Sequence, residues 1–292
     1  MSASKKYVDK NEYMSSWGCV TKKPKQPHAP YSNTPIPSKF VIPSTATNHA
    51  VICAIALDEE PYIDEWIHYH LKLGFSHIYV YDNSDKNTLQ HKTSSQVSII
   101  HFPGKKRHLE AYDSFILQHT PQHKWGAFID IDEFIVLKKH KTIMEFLQGY
   151  DSCESIALNW MMFGTSHETA YKNEPVLSRF QLCSTDINPH IKCISQLRSI
   201  KLYISSHYPQ LREGNIYDPN RTIVSGPPYH QGSVDIACIH HYYTKSEEEF
   251  RKKILRGTSD EHPTRSLTEL DGIHLKNNDV VNRDAYDILR LR

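Results

Sequence analysis

The pattern of apolar and polar positions predicts strands and helices that alternate along the chain. Continuous apolar runs rich in β-branched residues, at 49–57, 76–83 and 97–102, are typical of strands covered on both faces. Segments 58–74 and 105–120 repeat apolar residues at helical spacing. Strands and helices at this spacing predict an α/β fold, with a parallel sheet and helices on both of its faces.

After residue 140 the pattern is less regular. It predicts a short helix at 142–150, an aromatic strand at 155–164 and a stretch of short strands and turns at 165–235. A further strand at 233–244 and a helix at 246–257 follow. The helix at 246–257 has a capping box at its start, formed by Ser246 and Glu249, and Gly257 fits its end.

Acidic residues interrupt one apolar run. The stretch AFIDIDEFIV, residues 127–136, is mostly apolar but contains Asp130, Asp132 and Glu133. If the stretch is one strand with a period of two, Asp130 and Asp132 point one way and Glu133 the other. Buried carboxylates are costly unless they are paired or bind a metal, and paired aspartates suit Mg²⁺ or Mn²⁺. The alternative is that both aspartates cap backbone amides where the strand ends.

Other acidic residues stand near the ends of predicted strands. Asp58 and Glu59 follow the first strand, and Asp82 ends the second. In open parallel sheets, ligands bind beyond the carboxyl ends of the strands. Together with Asp130 and Asp132, these residues predict a single site at one edge of the sheet.

Composition excludes some classes of function. Lys and Arg total 34 and Asp and Glu total 33, so the chain lacks the basic surplus of a nucleic-acid-binding protein. No apolar run approaches the ~18 residues of a membrane span, and the first residues lack the apolar core of a signal peptide. The six cysteines form no C-x-x-C pair. These features predict a soluble, cytoplasmic protein with reduced thiols.

Four stretches, in chain order, resemble the GT-A-type glycosyltransferases of the family 92 and family 2-like group. They are ALDEEPYIDEWIHYHLKLGFSHIYVYDNSD, FIDIDEFI, NWMMFGTS and HHYYTKSEEEFRKKILRG, within about residues 50–257. The resemblance implies a single GT-A domain, with a Rossmann-like, mixed, mostly parallel sheet. It also implies an inverting hexosyl- or pentosyltransferase that uses a nucleotide-sugar donor, expected to be UDP-linked, a glycan or glycoconjugate acceptor, and Mn²⁺ or Mg²⁺.

The resemblance also implies a metal site. Asp130 and Asp132 match the D-x-D motif that holds the cation on the donor diphosphate. His241 matches a late histidine that completes coordination of the metal or the diphosphate. Lys192 matches a lysine near the donor phosphates.

Further residues are implied in donor and acceptor binding. Ala56, Leu57 and Glu59 match the end of the first strand, where the nucleotide lies against the backbone, and Asp82 matches an acid near the base or ribose. The acceptor-side W-x-x-F-G element corresponds to Trp160, Phe163 and Gly164.

Inversion requires a base that takes the acceptor's proton, and a carboxylate usually serves. The candidates from the sequence are Glu168, Asp186, Glu213 and Asp235, with an ordinary surface role as the alternative for each. Glu168 is favoured because it follows the aromatic element.

The chain departs from the family pattern at two positions. Asp58 stands where the family commonly has asparagine, and His108 stands where the group often has glutamine. Both departures concern the identity of the donor rather than the metal ligands. A metal-dependent nucleotidyltransferase or phosphohydrolase, and a sugar-binding protein without catalysis, are the alternative functions.

Composition and the resemblance together predict three parts. Residues 1–48 hold six of the sixteen prolines and predict an extended arm. Residues 49–257 form the catalytic domain, with a nucleotide-sugar half at 49–137 and an acceptor half at 138–257. Residues 258–292 are predicted to be a polar tail with a short helix near its end.

Overall fold

A computed structural model describes residues 47–257 and 265–291, so most of the predicted arm lies outside the described residues. The strands are, in chain order, β1 (Thr47–Ala56), β2 (His77–Asp82), β3 (Val97–His101), β4 (His123–Phe128), β5 (Glu133–Leu137), β6 (Ser155–Met162), β7 (Leu182–Cys183), β8 (Asn188–Gln196), β9 (Ile200–Ser205), β10 (Tyr208–Leu211), β11 (Ile216–Tyr217), β12 (Ala237–His241) and β13 (Val280–Val281). The α-helices are α1 (Ile63–Lys72), α2 (His108–His119), α3 (Ile143–Gln148), α4 (Val176–Arg179), α5 (Glu247–Arg256), α6 (Glu269–Lys276) and α7 (Asp284–Leu291).

One large sheet organises the fold. Its strand order is β3-β2-β1-β4-β8-β6-β12-β5, with β11 beside β6. Strands β1 to β4 are parallel to one another, and β8 and β5 run antiparallel to their neighbours. The predicted mixed, mostly parallel sheet is therefore confirmed. The carboxyl ends of β1, β2, β6 and β12 and the amino end of β5 all lie at one edge.

Strand β1 shows why both faces of the sheet are covered. Ile52 and Ala54 belong to the same hydrophobic cluster as Trp66 of α1. The alternating residue Val51 belongs to a second cluster with Phe115 of α2. A strand whose successive side chains all point into apolar layers needs a continuous apolar sequence, and this is the pattern that predicted it.

The stretch AFIDIDEFIV is not one strand, and the prediction from its period was wrong. Strand β4 ends at Phe128 and β5 begins at Glu133. The acidic turn between them, residues 129–132, is closed by the backbone N–H of Glu133, which donates to the carbonyl of Asp130 at 3.1 Å. Oε2 of Glu133 accepts the N–H of Asp130 at 2.9 Å. One of the three acids thus caps the turn, and the chain leaves β4 for a strand at the far end of the sheet.

Helix α1 covers the open edge of β5. Tyr69 Oη donates to the carbonyl of Ile135 at 2.8 Å, and the Ile135 N–H lies 3.4 Å from His70 Nε2. An unpaired strand edge is a template for aggregation, and side-chain partners remove that hazard. The helix therefore fixes the strand that follows the acidic turn.

The sequence prediction missed β8, a central strand of nine residues. This strand lies between β4 and β6 and pairs antiparallel with both. Its sequence, NPHIKCISQ, carries a lysine and several polar residues although eight of its nine residues are buried. Neither apolar continuity nor alternation therefore marked it as a central strand.

The predicted last helices are present. The capping box of Ser246 and Glu249 opens α5, and Gly257 ends it with φ +82°. The short helix expected near the end of the chain is α7, and α6 is an additional helix in the predicted tail.

The five cysteines of the described residues are buried and form no disulfide. No helix within residues 47–257 and 265–291 combines the length and the apolar character that crossing a membrane requires.

Candidate functional site

The pairing of β5 with β12 brings the acidic turn and His241 together. His241 is opposite Glu133 in the register of these strands, and the N–H of Tyr242 donates to the carbonyl of Asp132 at 2.9 Å. His241 Nε2 lies 3.5 Å from Oδ1 of Asp132. Two groups far apart in the sequence thus meet at the edge where the parallel strands end.

A lysine of α5 occupies the other oxygen of Asp132. Lys253 Nζ is 2.5 Å from Asp132 Oδ2 and 2.8 Å from the carbonyl of Tyr243. Burial alone would raise the pKa of Asp132, but Lys253 and His241 hold it well below its usual value. Burial lowers the pKa of Lys253 to about 8, although Asp132 opposes the shift. Asp132 is therefore an ionised carboxylate that already has a cation beside it.

The imidazole of His241 remains available as a nitrogen ligand. Burial lowers the pKa of His241, with Asp132 opposing the shift, so the ring is neutral near pH 7. Its Nδ1 is buried and has no hydrogen-bond partner among the described residues.

Asp130 is held from behind by Lys192. Lys192 Nζ lies 2.9 Å from Asp130 Oδ2 and 3.6 Å from Glu133 Oε2, and the lysine side chain is 1% exposed. His108 Nε2 is 3.6 Å from the other oxygen of Asp130, whose side chain is 32% exposed. Burial would raise the pKa of Asp130, but Lys192 and His108 lower it. Lys192 therefore lies behind the acidic turn and orients Asp130, which itself reaches solvent.

The carboxylates of Asp130 and Asp132 fit Mn²⁺ or Mg²⁺, which prefer oxygen ligands, and His241 would add one nitrogen ligand. No group of three or more His, Cys, Asp or Glu side chains within residues 47–257 and 265–291 is arranged as a ready metal centre. The two lysine ammonium groups each take one carboxylate oxygen, so a divalent cation would share these aspartates with them or displace them.

A cleft of about 320 Å³ lies between the β1–α1 connection and α5. Its lining residues are Asp58, Glu59, Pro61, Tyr62, Tyr171, Thr244, Lys245, Glu249, Lys252, Lys253 and Arg256. Lys253 thus faces both the cleft and Asp132. The cleft adjoins the segment that follows β1, and the binding of a nucleotide there stays a prediction.

Arg256 contacts Leu57 and Glu59, two of the residues predicted to bind the nucleotide. Its guanidinium forms an ion pair with Glu59 at 2.8 Å and donates to the carbonyl of Leu57. Ala56, the last residue of β1, is buried and pairs in register with Asp82.

Asp82 has a local role in the structure. Its two carboxylate oxygens accept the backbone N–H groups of Ser84 at 2.9 Å and Leu89 at 3.0 Å, and the residue is 1% exposed. This carboxylate therefore shapes the loop after β2, and a contact with the base or ribose stays a prediction.

Trp160 lies against the candidate metal ligand. Its ring is stacked on His190, with centroids 4.9 Å apart, and meets the ring of His241 edge-on at 4.2 Å. The indole is buried and forms the wall behind His241, and its contact with an acceptor stays a prediction.

Phe163 and Gly164 are packed inside the protein. The ring of Phe163 is 4.4 Å from that of Tyr242. A Cβ on Gly164 would come within 2.6 Å of the backbone carbonyl of Asn277. The W-x-x-F-G element thus joins the edge of the sheet to the segment after α6, and its contact with the acceptor stays a prediction.

The two leading candidates for the base lie in different places. Glu168 follows the end of β6, on the side of the acidic turn, and forms an ion pair with Lys172 at 2.7 Å. Asp235 is exposed and accepts a hydrogen bond from Ser233 at 2.9 Å. It precedes β12, about 20 Å from His241 at the usual rise of a strand. Glu168 is thus on the side of the candidate site, and the role of either residue as the base stays a prediction.

Sequence reasoning missed the cationic residues of α5, Lys253 and Arg256. Their positions in the last turns matched the ordinary preference of basic residues for a helix C-terminus. Lys245, Lys253 and Arg256 lie within fifteen positions of His241 in the closing motif, but this spacing does not show which of them faces a carboxylate.

The chain was compared with known proteins. The glycosyltransferase family 92 model matches residues 49–272. A family 92 protein of Arabidopsis thaliana is 22% identical over 224 residues, which cover 70% of this chain and 37% of that protein. A family 92 protein of Oryza sativa subsp. japonica is 26% identical over 105 residues, or 34% of this chain and 18% of that protein. The chain spans about a third of the length of the Arabidopsis relative. The matched residues include the acidic turn, β12 and α5, and the chain belongs to glycosyltransferase family 92.

Proposed function

We propose that the chain transfers a sugar from a UDP-linked donor to a hydroxyl group of a glycan or glycoconjugate, with inversion and with a divalent cation. The observation that carries the proposal is the meeting of Asp132 and His241, at 3.5 Å, beside a cleft at the end of β1. Membership of family 92 supports sugar transfer as the reaction class.

Asp130, Asp132 and His241 would hold Mn²⁺ or Mg²⁺. The cation would supply Lewis-acid stabilisation of the negative charge that develops on the leaving nucleoside diphosphate. The protein keeps Asp132 ionised through Lys253, keeps His241 neutral by burial, and orients Asp130 through Lys192.

The nucleotide is proposed to lie in the cleft at the end of β1. Tyr62 and Tyr171 offer aromatic faces, and Arg256 and Lys245 offer positive charge, within one lining. Glu168 is the proposed base, which would take the proton of the attacking hydroxyl as the glycosidic bond to the diphosphate breaks.

The proposal is tested with a panel of UDP- and GDP-linked sugars and Mn²⁺. Released nucleoside diphosphate reports turnover, and calorimetry reports binding. We expect Asp132→Asn to abolish metal-dependent donor binding, because it removes the charge that pairs with the cation. Asp151→Asn is the matched control, since Asp151 is exposed and pairs with Lys124 at 2.7 Å away from the site.

The outcomes separate the alternatives. If no nucleotide sugar binds or turns over with any divalent cation, the proposal is wrong. Release of pyrophosphate or phosphate from nucleoside triphosphates instead would indicate a nucleotidyltransferase or a phosphohydrolase. Binding of sugars without turnover would indicate a sugar-binding protein.

A further inference from the structure

Lys253 stands where a cation bound to Asp132 would stand. Its ammonium contacts Asp132 Oδ2 at 2.5 Å, and the only other oxygen of that carboxylate faces His241. A divalent cation that approaches Asp132 and His241 therefore meets a positive charge at once. Two cations beside one carboxylate repel each other, and the repulsion is strong because Asp132 and Lys253 are both nearly buried.

Lys253 also faces the cleft, where other cations lie. Lys245 and Arg256 line the same cleft, Lys245 with its ammonium 4.1 Å from the centre of the Tyr62 ring. The carboxylates of Glu59 and Glu249 are already paired with Arg256 and Arg179. A diphosphate that enters this cleft is therefore met by the ammonium groups of Lys245 and Lys253 and the guanidinium of Arg256, with Asp58 as the further acid of the lining.

The lysine can serve both partners without any change in the backbone. Its ammonium is carried on a flexible stem of four carbons, and its 10% exposed side chain lies at the boundary between the cleft and the acidic turn. A nucleoside diphosphate carries more negative charge than one carboxylate. A cation arriving at Asp132 repels the ammonium toward that charge.

We propose that Lys253 is an exchangeable counter-ion, which neutralises Asp132 before the donor binds and then turns to the donor diphosphate, leaving Asp132 and His241 to the divalent cation. This inference rests on the proposed function, because it takes a nucleoside diphosphate as the ligand of the cleft. Metal binding and nucleotide binding then assist each other, and the coupling is reciprocal.

Two binding measurements on the full chain test the exchange. Binding of Mn²⁺ alone is followed by the electron paramagnetic resonance signal of the free ion. Binding of UDP, with GDP in parallel, is followed by calorimetry in the presence of EDTA. For Lys253→Met, we expect Mn²⁺ to bind at least about tenfold more tightly and the nucleoside diphosphate at least about tenfold more weakly than for the unchanged chain.

The opposite signs are the diagnostic result. A lysine that only supports the fold would weaken both kinds of binding when replaced. Arg251→Met is the control, because it removes one positive charge from the same helix at an exposed residue outside the cleft; both affinities should stay unchanged. Lys253→Gln keeps a hydrogen-bond donor for Asp132 and gives shifts in the same directions if the methionine variant fails to fold.

Failure of the exchange differs from failure of the proposed function. If the unchanged chain binds Mn²⁺ and a nucleoside diphosphate but Lys253→Met does not shift the two affinities in opposite directions, the exchange is wrong and the function stands. If the unchanged chain binds neither UDP nor GDP, with or without Mn²⁺, both proposals are wrong.

Discussion

The indole N–H of Trp66 donates to the backbone carbonyl of Glu133 at 2.8 Å. A buried side chain of α1 thus fixes the residue at which the acidic turn becomes β5. The contact spans 67 positions and connects the first helix to the strand that presents the turn to His241.

Trp66→Phe should destabilise the protein more than Trp125→Phe. Both tryptophans are fully buried, but Trp125 Nε1 has no hydrogen-bond partner among the described residues. Both changes leave a similar cavity, and only Trp66→Phe leaves the Glu133 carbonyl without its partner. We expect an additional loss of about 1–3 kcal/mol in the free energy of unfolding, measured in urea. Equal losses for the two variants would contradict this assignment.

Removing Arg179 from its buried ion pair with Glu249 should cost much more stability than breaking an exposed ion pair of α5. The guanidinium contacts both carboxylate oxygens of Glu249, at 3.2 and 2.7 Å, and both side chains are almost completely buried. Arg179→Met leaves a buried carboxylate without its cation, and we expect a cost of about 3–5 kcal/mol. Arg251→Met, which breaks the exposed pair with Glu247, should cost less than about 1 kcal/mol. Chemical denaturation measures both; similar costs would show that burial does not matter here.

Gly164→Ala should loosen the C-terminal segment. Its new Cβ would come too close to the carbonyl of Asn277, so the segment after α6 must move. We expect a loss of about 1–3 kcal/mol and faster proteolysis within 265–291. Gly149→Ala is the control, because a Cβ there meets its nearest atom, the carbonyl oxygen of Phe146, at 3.4 Å. If both variants resist protease equally, the close contact at Gly164 is not required.

Acid should destabilise the protein through His70. Its Nδ1 lies 2.9 Å from the carbonyl of Trp66 and its Nε2 faces the N–H of Ile135, so the neutral ring with its proton on Nδ1 satisfies both groups. Burial lowers the pKa of His70 to about 3. Below the unfolded pKa of about 6.5, the unfolded chain takes up a proton that the folded chain refuses, so stability falls as pH falls.

His70→Gln removes this one titration. Between about pH 6 and pH 4, the slope of unfolding free energy against pH should decrease by about 1.4 kcal/mol per pH unit relative to the unchanged chain. His91→Gln, at an exposed position, is the matched control. An unaltered slope in the His70 variant would mean that this histidine takes up its proton in the folded protein as readily as in the unfolded chain.

The first half of the fold was predictable because its strands are buried on both faces. Val51 and Ile52 point into different apolar layers, so the sequence there is continuously apolar. The same property explains why a strand was wrongly predicted at the acidic turn. Ile129 and Ile131 are buried core residues although neither lies in a strand, so apolar continuity reported burial and not conformation.

The acids of the candidate site and Lys192 were predicted from the sequence, but the cations of α5 were not. Asp130, Asp132 and His241 carry a motif, whereas the contact of Lys253 with Asp132 joins residues 121 positions apart and leaves no local pattern. Helix α5 shows only the usual basic C-terminus. The fold decides which of its lysines faces a carboxylate and which faces water.

Strand β5 pairs with β12, so the candidate site can form only late in the synthesis of the chain. A ribosome that has released the acidic turn must still translate about a hundred residues before His241 and Lys253 can reach it. A chain that stops earlier carries Asp132 without His241 and Lys253. The last strand of the large sheet and the helix after it therefore complete the surroundings of Asp132.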